Sequence, residues 1–227
     1  MKVSAIIPAG GIGKRFNSPV PKQYVKVSGK ELLTYTLDTF QKCNSVNEII
    51  ISANKNYFSL LHEIKEKYNF HKIIKIVEGG KERQDSVYNG LISCSFEKND
   101  LLIVHDAARA LLSKNLLNKA INSAKEKGNA VVAIKARDTL VNNNNSSFNY
   151  VDRANTYYVQ TPQIFTYKIL KEAFDKAIAQ SFIGTDESML VKNAGYKINI
   201  VEGEFINFKI TTPEDLIIFE KLQKNTN

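Results

Sequence analysis

The sequence predicts an α/β protein: a Rossmann-like, mostly parallel sheet covered by helices on both faces, with a protruding β-arm for dimerisation. Short β-branched runs alternate with stretches of helical period up to about residue 136. Strict alternation builds βαβ units, whose right-handed crossovers give parallel strands with helices on both faces. Runs such as IIISA and LLIV are near-continuously apolar, the pattern of strands buried on both sides. The first strand runs into three glycines within four residues, Gly10, Gly11 and Gly13. Open α/β sheets bind ligands beyond the carboxyl ends of their strands, where this loop falls.

The elements follow in order. VSAIIPA is the first strand and ELLTYTLDTFQKC the first helix; VNEIIISA, FSLLHEIKEKY and KIIKIVEG continue as strand, helix and strand. Leu60, Leu61, Ile64 and Tyr68 show the three-and-four spacing of a buried helix face. DSVYNGLISCS, DLLIVHDA, SKNLLNKAINSAKEKG and AVVAIKA repeat the alternation. It then stops. RDTLV and FNYVDRA are strand-like pieces joined by the polar NNNNSS, so about 136–155 reads as a hairpin arm. An isolated two-stranded ribbon is marginal in water, so the arm must rest on something: a second subunit across a two-fold axis, or its own domain as a surface flap. Beyond it, a helix is expected over about 167–179, another opening at Thr185, a strand in GYKINIVEG and a last helix in TTPEDLIIFEKL. That last helix carries threonine as cap, proline in its first turn and acids near its N-terminus.

At 227 residues and 43% hydrophobic, the chain has the size of one domain spanning 1–227. Cys43 and Cys94 stand alone, with no CxxC or His/Cys cluster, so neither a disulfide framework nor a structural zinc site is expected. No apolar run approaches a membrane span and the N-terminus enters a strand-like run at once, so a soluble, cytoplasmic protein without a membrane partner is expected. The formal charge of +8 suits an anionic partner. Basic residues are scattered among acids without a nucleic-acid-binding signature, so a phosphorylated small molecule is preferred to nucleic acid.

Glycine after a strand lets backbone N–H groups approach a phosphate without a Cβ in the way. Two familiar patterns fail. Phe16 takes the third glycine position of GxGxxG, and Arg15 stands where a P-loop requires Ser or Thr. Arg15 and Lys22, the latter between Pro21 and Gln23, are suited to clamping phosphate oxygens, arginine as a fork and lysine as a point charge. Other landmarks lie at the same edge of the sheet. EGGKERQDSVYNG follows the third strand, its Gly79-Gly80 pair opening a helix with Ser86 nearby, and VHDAARA follows the fourth, with Asp106 placed to cap a helix or to hold a metal.

At these residues the sequence resembles the 2-C-methyl-D-erythritol 4-phosphate cytidylyltransferase family. PAGGIGKRF, PKQY, GGKERQDSVYNGL, VHDAAR, RDT, VDR, QTPQIF, TDES and NFKITTPEDL occur in the family's order over nearly the whole chain. The resemblance implies a single nucleotidyltransferase domain that joins CTP to a polyol phosphate with release of pyrophosphate. It also implies Mg2+ or another divalent cation, and a homodimer with exchanged arms. It assigns Arg15 and Lys22 to the triphosphate, and Arg153 and Lys209 to the attacking phosphate, with Arg153 serving the partner's site. Asp106 is matched to the polyol hydroxyls and the metal. Ala9, Gly10, Gly80, Lys81 and Ser86 are matched to the cytidine pocket, with Gly11 and Gly13 in the phosphate loop. Thr139 and Thr161 are matched to further substrate contacts, as are Arg109 and Thr185. Two departures stand out: PAGG where PAAG is common, and Ala110 where proline usually follows DAAR. Gly10 resembles the loop of ribitol 5-phosphate cytidylyltransferases, the alternative acceptor, while RQDS, DAAR and TDES favour methylerythritol phosphate.

Overall fold

The computed structural model describes the chain apart from residues 12, 14, 15, 17, 145, 146 and 225–227. Its parallel strands are β1 (Val3–Pro8), β4 (Glu48–Ala53), β5 (Ile73–Glu78), β6 (Leu101–Val104), β7 (Asn129–Lys135) and β11 (Ile200–Glu202), and one long strand, β10 (Tyr157–Thr166), runs against them. Together they form one sheet in the order β11-β7-β10-β6-β1-β4-β5. A two-residue ribbon, β2 (Lys26–Val27) and β3 (Lys30–Glu31), precedes the first helix.

Alternation along the strands sends neighbouring residues to opposite faces. Ala5, Ile7, Ile49, Ile51 and Ile103 pack on α1 (Leu32–Lys42), α2 (Phe58–Lys67) and α4 (Lys114–Lys127), through Leu37, Phe40, Leu61, Leu117 and Ile121. Ile6, Ile50, Leu102 and Val104 face the other way. They meet Val87 and Leu91 of α3 (Arg83–Ile92), Leu170 and Phe174 of α5 (Tyr167–Ala179), and Leu190 of α6 (Glu187–Asn193). The expected two-sided α/β sandwich is therefore the observed one. Each such buried aliphatic side chain contributes about 1.5–3 kcal/mol. A third cluster, with Phe16, Leu32, Ala108, Ile210 and Phe219, seats α7 (Pro213–Lys224) beside the ends of β1 and β6.

Several local expectations change. VQTPQIF lies within β10, whose antiparallel course the motif concealed; its pairing to β7 shifts register between Val159 and Gln163. Pro162, with no N–H to give, falls in that irregular stretch. The helix expected at Thr185 begins at Glu187, because Asp186 is the cap and its Oδ1 accepts from Met189 N at 2.9 Å. The Gly79-Gly80 pair does not open a helix: α3 starts at Arg83, capped reciprocally by Glu82 and Asp85. Nor does Asp106 cap one, since α4 is capped by Ser113.

The hairpin arm is present but displaced along the sequence. β8 (Val141–Asn144) pairs antiparallel with β9 (Ser147–Tyr150), so three asparagines of the expected turn are strand residues. VDRA turns instead of extending, as Asp152 Oδ1 caps Ala154 N at 2.9 Å. The arm's large side chains lie open, Phe148 at 68% and Tyr150 at 79% exposure.

Candidate active site

The site grows from three strand ends. After β1, Ala9 N donates to Ser52 O at 2.7 Å, which carries the chain past β4. The carbonyls of Ala9 and Gly11 are then gripped from below by Gln23, whose Nε2 donates to them at 2.6 and 2.9 Å. Gly13 has φ +67, the left-handed region that favours glycine, and sits against Lys22. The PKQY turn therefore fixes the glycine loop, and with it Lys22, whose Nζ donates to Ile210 O at 2.7 Å.

After β5, the Gly79-Gly80 turn lies against the start of α3. A Cβ on Gly80 would stand 2.1 Å from Asp85 Cβ, so only glycine allows this approach. Ser86 Oγ accepts from Gly80 N at 3.0 Å and donates to Glu82 O at 3.1 Å, setting the turn's backbone.

After β6 comes an ionic cluster. Asp106, 7% exposed, accepts from Arg83 Nε at 3.1 Å on Oδ1, and on Oδ2 from Lys209 Nζ at 3.0 Å and Arg109 Nε at 3.4 Å. Arg83 also forks onto Glu187, at 2.7 and 3.0 Å. Burial alone would raise the Asp106 pKa, but Arg83, Lys209 and Arg109 hold it well below the usual carboxylate range. Glu187 differs: burial pushes it up, against the opposing pull of Arg83. The Arg83 guanidinium stays charged because its two carboxylates outweigh its burial. Beneath, Thr161 Oγ1 accepts from Asp106 N at 3.1 Å and lies 3.0 Å from His105 Nδ1, and Arg109 Nη1 donates to Asn207 O at 2.8 Å. Burial lowers the His105 pKa to about 3, so this imidazole is neutral at pH 7.

These strand ends enclose a cleft of about 490 Å3, lined by residues 8–11, 13, 22–23, 80–83, 86, 106–108, 209 and 211. Its lining combines the backbone of the glycine turns with lysines 22 and 209, Arg83 and Asp106. Such a space can hold a nucleotide along the glycines and a second anion toward Lys209.

Of the predicted residues, Ala9, Gly10, Gly11, Gly13, Lys22, Gly80, Lys81, Ser86, Asp106 and Lys209 line the cleft. Arg109 and Thr161 stand behind it, holding Asp106. Three lie elsewhere in the single chain. Thr139 and Arg153 are exposed at the arm, Arg153 Nη1 donating to Arg137 O at 3.0 Å, and Thr185 is exposed with its hydroxyl 3.8 Å from Met189 Sδ. Arg15 lies outside the described residues. Arg83, Glu187, Gln23 and His105 were not singled out, although RQDS, TDES, PKQY and VHDAAR contain them. Arg83 and Glu187 are 104 residues apart, and a charged residue's partner at that distance leaves no local pattern to read.

Asp106 fits a metal only in part. Its oxygens already accept from three cations, and among the described residues no three His, Cys, Asp or Glu side chains gather as a ligand set.

The profile of the family described as IspD, 2-C-methyl-D-erythritol 4-phosphate cytidylyltransferase, matches residues 3–224. The 2-C-methyl-D-erythritol 4-phosphate cytidylyltransferase of Clostridium perfringens strain 13 is 40% identical over 228 residues, 98% of this chain and 99% of that protein. Its namesake in Syntrophus aciditrophicus is 38% identical over 226 residues, 98% and 96% of the two chains. The crystal structure of a 4-diphosphocytidyl-2C-methyl-D-erythritol synthase from Anaerococcus prevotii superposes with a TM-score of 0.86 at 31% identity, covering 98% of each chain. The cytidylyltransferase structure from Thermus thermophilus superposes at 0.81 with 32% identity, covering 99% and 100%.

Proposed function

Because the chain belongs to the 2-C-methyl-D-erythritol 4-phosphate cytidylyltransferase family, we propose that it joins CTP and 2-C-methyl-D-erythritol 4-phosphate. The products are 4-diphosphocytidyl-2-C-methyl-D-erythritol and pyrophosphate, in the non-mevalonate route to isoprenoid precursors. The observation that carries this reading is a single cleft lined by the glycine turns together with Lys22, Lys209 and Asp106.

A phosphate oxygen of the polyol phosphate attacks the α-phosphorus of CTP. One P–O bond forms, the bond from that phosphorus to the bridging oxygen breaks, and pyrophosphate leaves with the electron pair. Positioning and charge stabilisation are what such a reaction asks of a protein. In our proposal the cytidine lies along Ala9–Gly10 and the Gly80–Lys81–Ser86 turn. Arg15 and Lys22 meet the triphosphate, with Gly11 and Gly13 beside it. Lys209 orients the attacking phosphate, and Asp106, held by Arg109 and Thr161, accepts from the polyol hydroxyls. A divalent cation such as Mg2+ would be held mainly by the triphosphate oxygens, with Asp106 the carboxylate nearest to it, and would supply neutralisation of phosphate charge.

Arg153, Thr139 and the open Phe148 and Tyr150 support a homodimer in which each arm completes its partner's cleft. Thr185 has no substrate assigned. A cytoplasmic location is also proposed; among the described residues no helix is long and apolar enough to cross a membrane. The loop feature that pointed to ribitol phosphate loses its force: a Cβ at Gly10 would meet Ser86 Oγ at 3.7 Å, ordinary contact that reshapes nothing.

The test is pyrophosphate release by purified protein given CTP, Mg2+ and each polyol phosphate in turn. Methylerythritol phosphate is expected to be the preferred acceptor; preference for ribitol 5-phosphate overturns the assignment.

A further inference from the structure

Glu187 opens α6, is 1% exposed and lies outside the cleft lining, yet both its oxygens bind Arg83, which does line it. A carboxylate is costly to bury, and fastening α6 to α3 does not need one. Three neutral hydrogen bonds and one to the Asp186 carboxylate already do so or brace the same turn. Gln84 donates to Phe182 O at 3.1 Å and accepts from Gly184 N at 2.9 Å, while Gln163 accepts from Ser188 N at 2.8 Å and donates to Asp186 Oδ2 at 3.0 Å. The charge of Glu187 has another use.

A guanidinium offers a two-toothed fork, Nη1 and Nη2, and a separate Nε edge. Arg83 spends its fork on Glu187 and reaches Asp106 through Nε alone, on Oδ1. Asp106 thus keeps Oδ2 for Lys209 and Arg109. With the fork released, Asp106 would be the nearest carboxylate for it, and a bidentate pair there would take both oxygens and displace Lys209. We propose that Glu187 is a positioning residue for the acceptor half of the reaction: by occupying the Arg83 fork it leaves Asp106 shared with Lys209, in the arrangement that receives a polyol phosphate. This rests on the cytidylyltransferase reading and deepens it.

Glu187→Gln keeps the shape and removes the charge. The expected result is a KM for the polyol phosphate raised about tenfold or more, the scale of losing an orienting partner, with the KM for CTP within about twofold. Gln84→Ala, which loosens the same loop without touching the charges, is the comparison and should lower the melting temperature without that selectivity. If Glu187→Gln fails to fold, Glu187→Asp, which keeps a carboxylate but withdraws it from the Arg83 fork, must show the same acceptor-selective rise. Equal effects on both substrates, or the same selectivity from Gln84→Ala, overturn the role. Should the parent prefer ribitol 5-phosphate, the proposed reaction fails, and the same variants measured with that acceptor still decide the matter for Glu187.

Discussion

Asp106→Asn tests whether the ionic cluster is held by one carboxylate. Three cations, Arg83, Arg109 and Lys209, surround two carboxylates, Asp106 and Glu187. The variant leaves three cations with one. Its amide matches the carboxylate in size, and the bond from the backbone N of residue 106 to Thr161 survives, so the change is one of charge. Breaking a fully buried pair from one side costs about 3–5 kcal/mol. Here the Lys209 and Arg83 side chains are 36% and 27% exposed and regain hydration, which lowers the expectation to about 2–3 kcal/mol. For a chain of this length each kcal/mol moves the midpoint by about 2–4 °C, so a fall of about 4–12 °C is expected in thermal unfolding at pH 7. The pH dependence has a definite sign. Asp106 titrates below its unfolded value of about 3.9, so its contribution is complete above that pH and is lost as pH falls toward its folded value. The gap between parent and variant should therefore be constant from neutrality to about pH 5 and narrow below about pH 4. A variant within about 0.5 kcal/mol of the parent at pH 7, or a gap that widens in acid, refutes the account.

Two further predictions follow from the site's shape. Gly80→Ala drives a Cβ into Asp85 at 2.1 Å and should cost about 1–3 kcal/mol in urea unfolding. Gly10→Ala meets only ordinary contacts and should be neutral or stabilising by about 0.4–1 kcal/mol; the reverse order refutes the packing argument. In the proposed dimer, Arg153→Ala and Lys209→Ala each disable acceptor use. Mixed dimers of the two should recover part of the activity, because one cleft in each then has both residues intact; no recovery in verified mixed dimers rejects arm exchange.

How much could be read in advance depended on the range of the signal. The β1 to β7 alternation, the helix over Tyr167–Ala179 and the cap of α7 are written in period and short-range chemistry, which act within a turn or two of chain. β10 escaped notice because Pro162 and two glutamines interrupt its apolar run, and its place between β6 and β7 comes from burial there, not from propensity. The arm's register slipped for the related reason that polar strands specify register weakly.

The cleft divides in the same way. By itself, the sequence determined the alternating sheet, the glycine-lined edge and the families of anion that edge can take, since each is a property of contiguous residues. Tertiary structure decided which charges meet: Gln23 under the glycine loop, Arg83 shared between Glu187 and Asp106, and Lys209 laid across the same carboxylate. An ion pair forms between residues brought together by chain reversals far longer than any local period, so its partners are chosen by the packed sheet and its loops.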